Sequence, residues 1–359
     1  MMVEKNKKIS QPFKVKKYYF NSEQEYKSQK NPFKKPFNFF IAVLKECLMF
    51  SWSLKQRFQD FFLDNSYWIK ASSIIPKRYD PVITWIGHSS FLIQLGNVNI
   101  LTDPVFGDLT FLFKRIFAPG VSFEKLPNID YILISHNHRD HMDQTSLEMI
   151  KQFYPYVKIL APQGDKNFLN KLGFTRVVES TWWEKHEINT PDSSITFTFL
   201  PAYHWSGRTF FDNNKSLWGS WMIEIPGYRI YFGGDTAYWD HFKDIALHFY
   251  PIDIALLPIG PCTPRGWMNN SHMDAHEAGQ ALIDLKAKYM VPMHWGTFYF
   301  GTDRFDMPVN DLIKWWGKNK NRLHDKKLML LGFGEQLKIE KQAILDQDSV
   351  MRDIQQIEL

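Results

Sequence analysis

The heptapeptide SHNHRDH occupies residues 135–141 and follows directly on the apolar run YILI at residues 131–134. Four of its side chains are potential metal ligands: His136, His138, Asp140 and His141. Three imidazoles this close together would repel one another if they were protonated. Neutral imidazole nitrogens and a carboxylate are natural ligands of a divalent cation. The stretch therefore predicts a metal site on a loop that leaves the end of a buried strand.

Three more residues of the same types follow predicted strands elsewhere in the chain. His204 comes after residues 195–200, Asp235 after residues 229–232, and His294 after residues 289–293. Taken singly, the histidines fit satisfied core residues and the aspartate fits a helix N-cap. Because the C-terminal strand edge of α/β layers gathers active-site groups, the three together favour a shared site. Five histidines and two aspartates are enough ligands for two metal ions.

From Ile74 onward, short runs of β-branched and aromatic residues alternate with helical patterns, and the opening hairpins contain strands only. This pattern predicts an α/β layered architecture with mixed sheets. The predicted strands are residues 82–85, 91–95, 98–101, 131–135, 157–160, 195–200, 221–225, 229–232, 254–258, 289–293 and 327–331. The predicted helices are residues 144–153, 164–172, 239–248, 274–286 and 309–318. Asp274 and Glu277 have the spacing of a capping box.

The composition excludes a disordered protein and several kinds of metal site. With 44% hydrophobic and 16% aromatic residues, the 359-residue chain lacks the composition of a disordered protein. Its two cysteines, Cys47 and Cys262, exclude a disulfide framework and a cysteine-rich zinc site, so His and Asp must hold any metal. Residues 1–80 hold 16 Lys and Arg against 7 Asp and Glu, a net charge of +9, and the remainder has a net charge of −4.

The basic N-terminal region contains an amphipathic pattern. Residues 37–54 are mostly apolar but carry Lys45 and Glu46 at their centre, which makes them a poor bilayer span. A helix there has one polar arc and a wide apolar face. That face either packs on the main domain or enters a membrane surface, helped by the preceding lysines. No signal-peptide pattern is present, so we expect a cytoplasmic protein with peripheral membrane association.

At this point the sequence resembles the metallo-β-lactamase fold family, whose signature is the HNHRDH motif of residues 136–141. That resemblance covers residues 74–337 and implies a four-layer αββα sandwich, here with an N-terminal amphipathic helical extension, and a binuclear zinc site. Further motifs look like those of the subgroup of N-acylphosphatidylethanolamine-hydrolysing phospholipases D. They are TWIGHSSFLIQ (84–94), ILTDPVF (100–106), WWE (182–184), LWGSW (217–221), GGDT (233–236) and HWGTF (294–298).

The resemblance implies roles for individual residues. One Zn²⁺ would be held by His136, His138 and His204, the second by Asp140, His141 and His294, and Asp235 would bridge them. His272 matches the histidine that lines the phosphate site, and either Asp140 or Asp143 would orient the attacking water. His88 would be a neighbour of the ligands or face the substrate. Arg265 would pair with an anionic lipid or with a structural carboxylate. Dimers are usual in that family, so a homodimer is possible.

The combined prediction is a zinc-dependent phosphodiesterase that hydrolyses N-acylphosphatidylethanolamine to N-acylethanolamine and phosphatidic acid at a membrane surface. The catalytic residues would be Asp140, Asp235 and His272, and the substrate-binding residues His272, Arg265 and His88. The alternative is a lactonase or phosphodiesterase of the same fold with a soluble substrate. Nucleic acid is not expected as a partner, because no nucleic-acid motif accompanies the basic region. The predicted regions are the extension 1–73, the catalytic domain 74–340 and the tail 341–359.

Overall fold

The computed structural model describes residues 48, 51, 52, 54–58, 60, 68–70, 81–111, 113–189, 194–209 and 211–338. Most of the predicted basic extension and the predicted tail 341–359 lie outside the described residues. The described residues all belong to one compact unit. The predicted boundaries at residues 73 and 340 stay predictions.

The described residues form two seven-stranded mixed sheets. The strands are β1 Val82–Gly87, β2 Ser90–Leu95, β3 Val98–Thr102, β4 Tyr131–Leu133, β5 Lys158–Pro162, β6 Val177–Ser180, β7 Lys185–Asn189, β8 Ser194–Leu200, β9 Ser220–Ile225, β10 Tyr228–Phe232, β11 Ile252–Pro258, β12 Ala287–Met293, β13 Lys327–Leu328 and β14 Gln336–Lys338. The first sheet has the order β14-β1-β2-β3-β4-β5-β6 and the second β13-β12-β11-β10-β9-β8-β7.

Each sheet is antiparallel on one side and parallel on the other. In the first sheet, β14, β1, β2 and β3 pair antiparallel, and β3 to β6 pair parallel. In the second, β7 to β10 pair antiparallel, and β10 to β13 pair parallel. Because parallel strands place their C-terminal ends at one edge, the loops after β3, β4, β10 and β12 are available to build a common site.

The two sheets face each other across an apolar core. The ring of Tyr131 in β4 lies 5.5 Å from the ring of Phe197 in β8. Nε1 of Trp221 in β9 donates a hydrogen bond of 2.9 Å to the carbonyl oxygen of Ile134, just after β4. Strands buried on both faces read as nearly continuous apolar runs, as β1, β2 and β11 do.

Helices cover the outer faces and complete the predicted α/β sandwich. They are α1 Gln144–Phe153, α2 Lys166–Lys171, α3 His241–Phe249, α4 Arg265–Met268, α5 Ala275–Leu285 and α6 Met307–Lys318. Leu147 and Ile150 of α1 and Leu169 of α2 join the core of the first sheet. Helix α5 packs on β11 and β12 and contacts α3 and α6. The predicted capping box of Asp274 and Glu277 is present at the start of α5.

The structure adds three strands to those predicted, and all three are at sheet edges. They are β6 and β14 in the first sheet and β7 in the second. An edge strand needs few apolar residues, and β7 alternates between exposed and half-buried positions with the sequence KHEIN. The predicted strand 327–331 ends at Leu328, also at an edge. The predicted strand 131–135 ends at Leu133, before the ligand loop.

The described helical residues 48, 51, 52, 54–58 and 60 are called the N-terminal helix below. Its polar residues Gln56 and Asp60 are buried, whereas Leu54 and Phe58 are 52% and 72% exposed. Of the two alternatives for the apolar face of residues 37–54, packing on the domain does not describe Leu54, and most of that stretch lies outside the described residues. The polar side is buried instead because it meets donors and acceptors of residues 299–305. Among the described residues, no helix combines the length and apolarity that a bilayer span requires.

Candidate metal centre

All seven predicted ligands meet at one edge of the facing sheets. The loop after β4 carries His136, His138, Asp140 and His141, and the loop after β8 carries His204. Asp235 follows β10 and His294 follows β12 directly. The strand ends thus bring together residues that are up to 158 positions apart in the sequence, from His136 to His294. Their donor atoms form the tight groups described next.

The first group contains three histidines whose nitrogens point at one another. Nε2 of His136 lies 2.8 Å from Nδ1 of His138, and Nε2 of His204 lies 3.2 Å from the same Nδ1. Burial and the neighbouring imidazoles lower the pKa values of His136 and His138 well below the ordinary value. Burial likewise lowers the pKa of His204 to about 4. Neutral imidazoles that converge in this way match the first predicted ligand set.

The second group contains Asp140, His141 and His294, together with His88. Nε2 of His141 lies 3.2 Å from Nε2 of His294 and 3.3 Å from Oδ2 of Asp140. His88 Nε2 lies 2.8 Å from the same carboxylate oxygen. These four residues offer ligand atoms that all fall within 4.8 Å of one another. His88, predicted as a neighbour or a substrate contact, therefore touches the predicted ligand Asp140 directly.

Asp235 lies between the two groups. Its Oδ1 is 3.0 Å from Nε2 of His294, and its Oδ2 is 3.2 Å from Nε2 of His141. On the other side, Oδ2 is 3.8 Å from Nε2 of His204. The carboxylate thus reaches one histidine of the first group and two of the second. This is the position that the predicted bridging role requires.

The backbone is constrained where it delivers these side chains. His88, Asp103 and His294 all have positive φ values, at 54°, 30° and 66°. Non-glycine residues seldom adopt this conformation, and it concentrates at functional sites. Gly234, just before Asp235, has φ 56°, and a Cβ there would lie 2.5 Å from Cβ of Ser135. Glycine is required at this position so that Asp235 can approach the ligand loop.

Positive charge stabilises the two carboxylates of the site. Burial alone would raise the pKa values of the Asp140 and Asp235 carboxyls, but the adjacent His141 and His294 hold both well below the usual range. Burial opposes protonation of these two imidazoles. Asp235 and Asp140 nevertheless raise the pKa of His141 well above its usual value and that of His294 to about 9. Positive charge is therefore needed beside both carboxylates, and bound metal ions can replace these protons.

The pattern of hydrogen bonds also fits metal ligation. Nε2 of His138 and Nδ1 of His272 are buried without a hydrogen-bond partner among the described residues. Nδ1–H of His204 points outward and donates a hydrogen bond of 2.8 Å to the carbonyl oxygen of Ser271. Because a neutral imidazole carries one proton, Nε2 on the inner side is unprotonated. Histidines that bind metal ions are held in this manner. The residues present therefore fit a divalent metal centre.

Sequence reasoning missed the role of Asp103, which follows β3. This fully buried carboxylate contacts Nδ1 of His141 at 2.7 Å and accepts a hydrogen bond of 2.7 Å from the backbone N–H of Ser135. The Ser135 hydroxyl donates to Asp103 at 2.5 Å and lies 2.9 Å from Nδ1 of His136. Asp103 thus orients two predicted ligands. The available signal was its place directly after a strand, as for the other site residues.

His272 and Arg265 lie together at the rim of the centre. The ring of His272 is 5.3 Å from that of His204, and its Nδ1 is 3.6 Å from Oδ2 of Asp235. Burial lowers the pKa of His272 to about 3. The Arg265 guanidinium contacts Glu277 and lies 3.5 Å from Asp274. Arg265 therefore pairs with carboxylates of the protein, which is one of its two predicted roles. Its contact with an anionic lipid stays a prediction.

Asp143, the second candidate for orienting water, caps α1. It accepts hydrogen bonds from N and Oγ of Ser146 at 2.8 and 2.7 Å. Asp140 is therefore the candidate that lies among the ligand groups.

Comparison with known proteins identifies close sequence relatives. The family described as Beta-lactamase superfamily domain matches residues 98–295. The chain is 32% identical over 263 residues to "N-acyl-phosphatidylethanolamine-hydrolyzing phospholipase D 1" of Caenorhabditis elegans, an alignment that covers 70% of this chain and 74% of the relative. It is 34% identical over 250 residues to the mitochondrial protein of that activity name from Saccharomyces cerevisiae. That alignment covers 67% of this chain and about half, 53%, of the yeast protein.

A solved structure confirms the architecture. The metallo hydrolase Igni18 of Ignicoccus hospitalis superposes with a TM-score of 0.56 at 23% identity. The superposition covers 72% of this chain and 98% of the archaeal protein. At this level of identity the likeness establishes the fold.

Proposed function

The chain belongs to the β-lactamase superfamily, and from its 32% identity to a relative named for N-acylphosphatidylethanolamine hydrolysis we propose that it hydrolyses N-acylphosphatidylethanolamine. It is a metal-dependent hydrolase. The proposal adds that the metal is zinc and that the reaction is of the phospholipase D type. Its products are N-acylethanolamine and phosphatidic acid.

The single observation that carries the proposal is the pair of ligand groups joined by Asp235. In the proposed assignment, the three histidines of the first group would hold one Zn²⁺, and Asp140, His141 and His294 would hold the other. Asp235 would be shared by both. When bound, two zinc ions would supply the Lewis acidity that makes water a nucleophile near neutral pH and that neutralises phosphate charge.

The remaining side chains act on substrate and protons. Asp140 contacts His88, His141 and His294, and as the partly exposed carboxylate of its group it would orient the attacking water. His272 is neutral because of its lowered pKa, so its imidazole would donate an N–H to a phosphate oxygen. Arg265 donates to the carbonyl oxygen of His272 at 3.0 Å and fixes the segment that carries this imidazole.

A lipid substrate also needs a surface that reaches the bilayer, and the N-terminal helix is suited to this. Leu54 and Phe58 are four positions apart, so they lie on one helix face, and both are exposed. Trp52 of the same helix contacts Trp267 of α4 with ring centroids 5.2 Å apart, and Trp267 is 42% exposed. We propose that these side chains enter the headgroup region of a membrane while the basic N-terminal region attracts anionic lipid.

The test is incubation of the purified full chain, loaded with Zn²⁺, with three substrates. These are N-acylphosphatidylethanolamine, ordinary phosphatidylethanolamine and a lactone, and products are identified by mass spectrometry. Release of N-acylethanolamine and phosphatidic acid from the first substrate alone is expected. Chelation should abolish the release and added Zn²⁺ should restore it. Opening of the lactone without lipid cleavage would instead support a soluble-substrate hydrolase of the same fold.

A further inference from the structure

Residues 297–305, called the aromatic segment below, follow the ligand His294 and form one wall of the metal centre. The ring of Phe298 lies 5.2 Å from that of His88, at an interplanar angle of 80°. The ring of Phe300 lies 5.9 Å from His88 and 6.4 Å from His294. The segment also lines a small open pocket that reaches His294. Two apolar rings therefore stand against two polar side chains of the centre.

Asp60 of the N-terminal helix holds this segment from the other side. Its Oδ2 accepts a hydrogen bond of 2.6 Å from the Tyr299 hydroxyl and one of 3.2 Å from the backbone N–H of Phe305. Its Oδ1 lies 3.4 Å from Nε of Arg304. Asp60 is only 4% exposed, although it lies on a helix far from the site in sequence. A buried carboxylate that accepts two hydrogen bonds from one segment restrains the position of both donor residues.

Neighbouring residues of the helix strengthen the attachment. Nε2 of Gln56 donates a hydrogen bond of 2.6 Å to the carbonyl oxygen of Thr302. The Arg57 guanidinium lies 5.4 Å from the centre of the Tyr299 ring. Gln56 and Asp60 are four positions apart and so share one helix face. The helix thus contacts the aromatic segment at several points along its length.

We propose that Asp60 is a positioning residue for the hydrolysis of N-acylphosphatidylethanolamine, because it holds the aromatic segment against the metal centre. The inference rests on the proposed function. Tyr299 stands between Phe298 and Phe300, so the hydrogen bond to its hydroxyl sets where both rings lie. The rings form an apolar wall beside the reacting phosphate, where the acyl and glycerol parts of a lipid need a surface. The N-terminal helix is then part of the catalytic unit.

The experiment compares Asp60→Leu with Asp60→Asn in the full-length, zinc-loaded protein. Leucine removes the acceptor, whereas asparagine keeps a side-chain oxygen for both hydrogen bonds. For Asp60→Leu we expect faster hydrogen exchange in residues 297–305, unchanged zinc content, and a loss in kcat/KM on N-acylphosphatidylethanolamine of roughly 10- to 100-fold. Asp60→Asn should restore most of both properties. Ser51→Ala is the matched control, since Ser51 is exposed on the same helix and its hydroxyl bonds Leu48.

Several results would overturn the inference. One is wild-type exchange and wild-type kcat/KM in Asp60→Leu, another is equal defects in Asp60→Asn and Asp60→Leu, and a third is loss of zinc in Asp60→Leu. If Asp60→Leu does not fold, Tyr299→Phe removes only the hydroxyl donor and must change exchange and kcat/KM in the same direction. A wild-type protein that does not cleave the lipid would refute the proposed function. The exchange measurement would still decide whether Asp60 holds the segment.

Discussion

The metal centre and the N-terminal helix both bury polar side chains, but for different reasons. In the centre, ring nitrogens of His136, His138 and His204 converge, with Nδ1 of His138 at 2.8 Å from His136 and 3.2 Å from His204, and each neutral imidazole has a nitrogen lone pair to offer a metal ion. In the helix, Oδ2 of the Asp60 carboxylate accepts hydrogen bonds from the Tyr299 O–H and the Phe305 N–H, and Oδ1 faces the Arg304 guanidinium. Converging acceptors indicate a site for a cation, whereas matched donors and acceptors indicate a joint between two parts of the fold.

The largest effect on activity is expected in the metal centre, where each substitution removes a proposed ligand. His136→Ala and Asp235→Asn each remove a proposed ligand, so kcat/KM should fall on the order of 10²- to 10³-fold. Elemental analysis should find fewer than two zinc ions per chain in both variants. His324→Ala is the control, since this histidine is exposed and distant in sequence from the ligands. Full activity and full zinc content in both variants would contradict a two-metal centre.

The next largest effect is expected at Asp103, a buried carboxylate of the centre whose two oxygens both have hydrogen-bond partners. Asp103→Asn weakens the contact that orients His141, and changes to such partners typically cost roughly 10- to 100-fold in metal affinity. Zinc affinity should be measured by competition with a chelator. Asp130→Asn is the control, because Asp130 lies outside the ligand network and accepts a hydrogen bond from the backbone N–H of Asn99. Unchanged affinity in Asp103→Asn would show that His141 is oriented without this carboxylate.

A smaller effect is expected on the exposed side of the helix. The double substitution Leu54→Asp and Phe58→Asp places charge on the face proposed to enter the membrane. Affinity for vesicles that contain anionic lipid should fall about tenfold or more, given the transfer energy of large apolar side chains. Co-sedimentation measures this, and Leu247→Asp, at an exposed leucine of α3, is the control. If the double variant binds the vesicles as tightly as the wild type does, the proposed membrane contact of Leu54 and Phe58 is wrong.

The smallest effect on the metal centre is expected at Asp165, where the prediction concerns stability. This buried carboxylate bonds Asn137, which lies between the ligands His136 and His138 in the sequence. Its Oδ1 accepts a hydrogen bond of 3.0 Å from Asn137, and burial raises its pKa to about 7. The folded state therefore keeps a proton that the unfolded state loses near pH 4, so stability falls as pH rises towards 7. Relative to Asp165→Asn, the wild type should lose about 1.4 kcal/mol per unit between pH 5 and 7. The free energy of unfolding of both proteins is measured by chemical denaturation between pH 5 and 7. If it changes equally with pH in the two proteins, the pKa of Asp165 is not raised.

The sequence predicted the interior of the fold better than its margins. Strands such as β8 and β11 carry long apolar runs, so periodicity located them within two residues. Strands β6, β7 and β14 were missed because edge strands are selected by pairing with one neighbour and leave little apolar signal. Helix α1 was predicted with its observed bounds, since Asp143 caps its start and apolar residues recur at helical spacing.

The sequence by itself determined the ligand types, because histidines and aspartates directly after apolar strands can be read from a linear pattern. It also indicated the family through the HNHRDH motif and its companions. Only the tertiary structure decided that Asp103 supports His141 and that Asp60 reaches Tyr299, 239 positions away. It also decided which side of the N-terminal helix is buried. Periodicity shows that a helix has two faces, but which face is buried depends on the donors and acceptors that distant segments present to it.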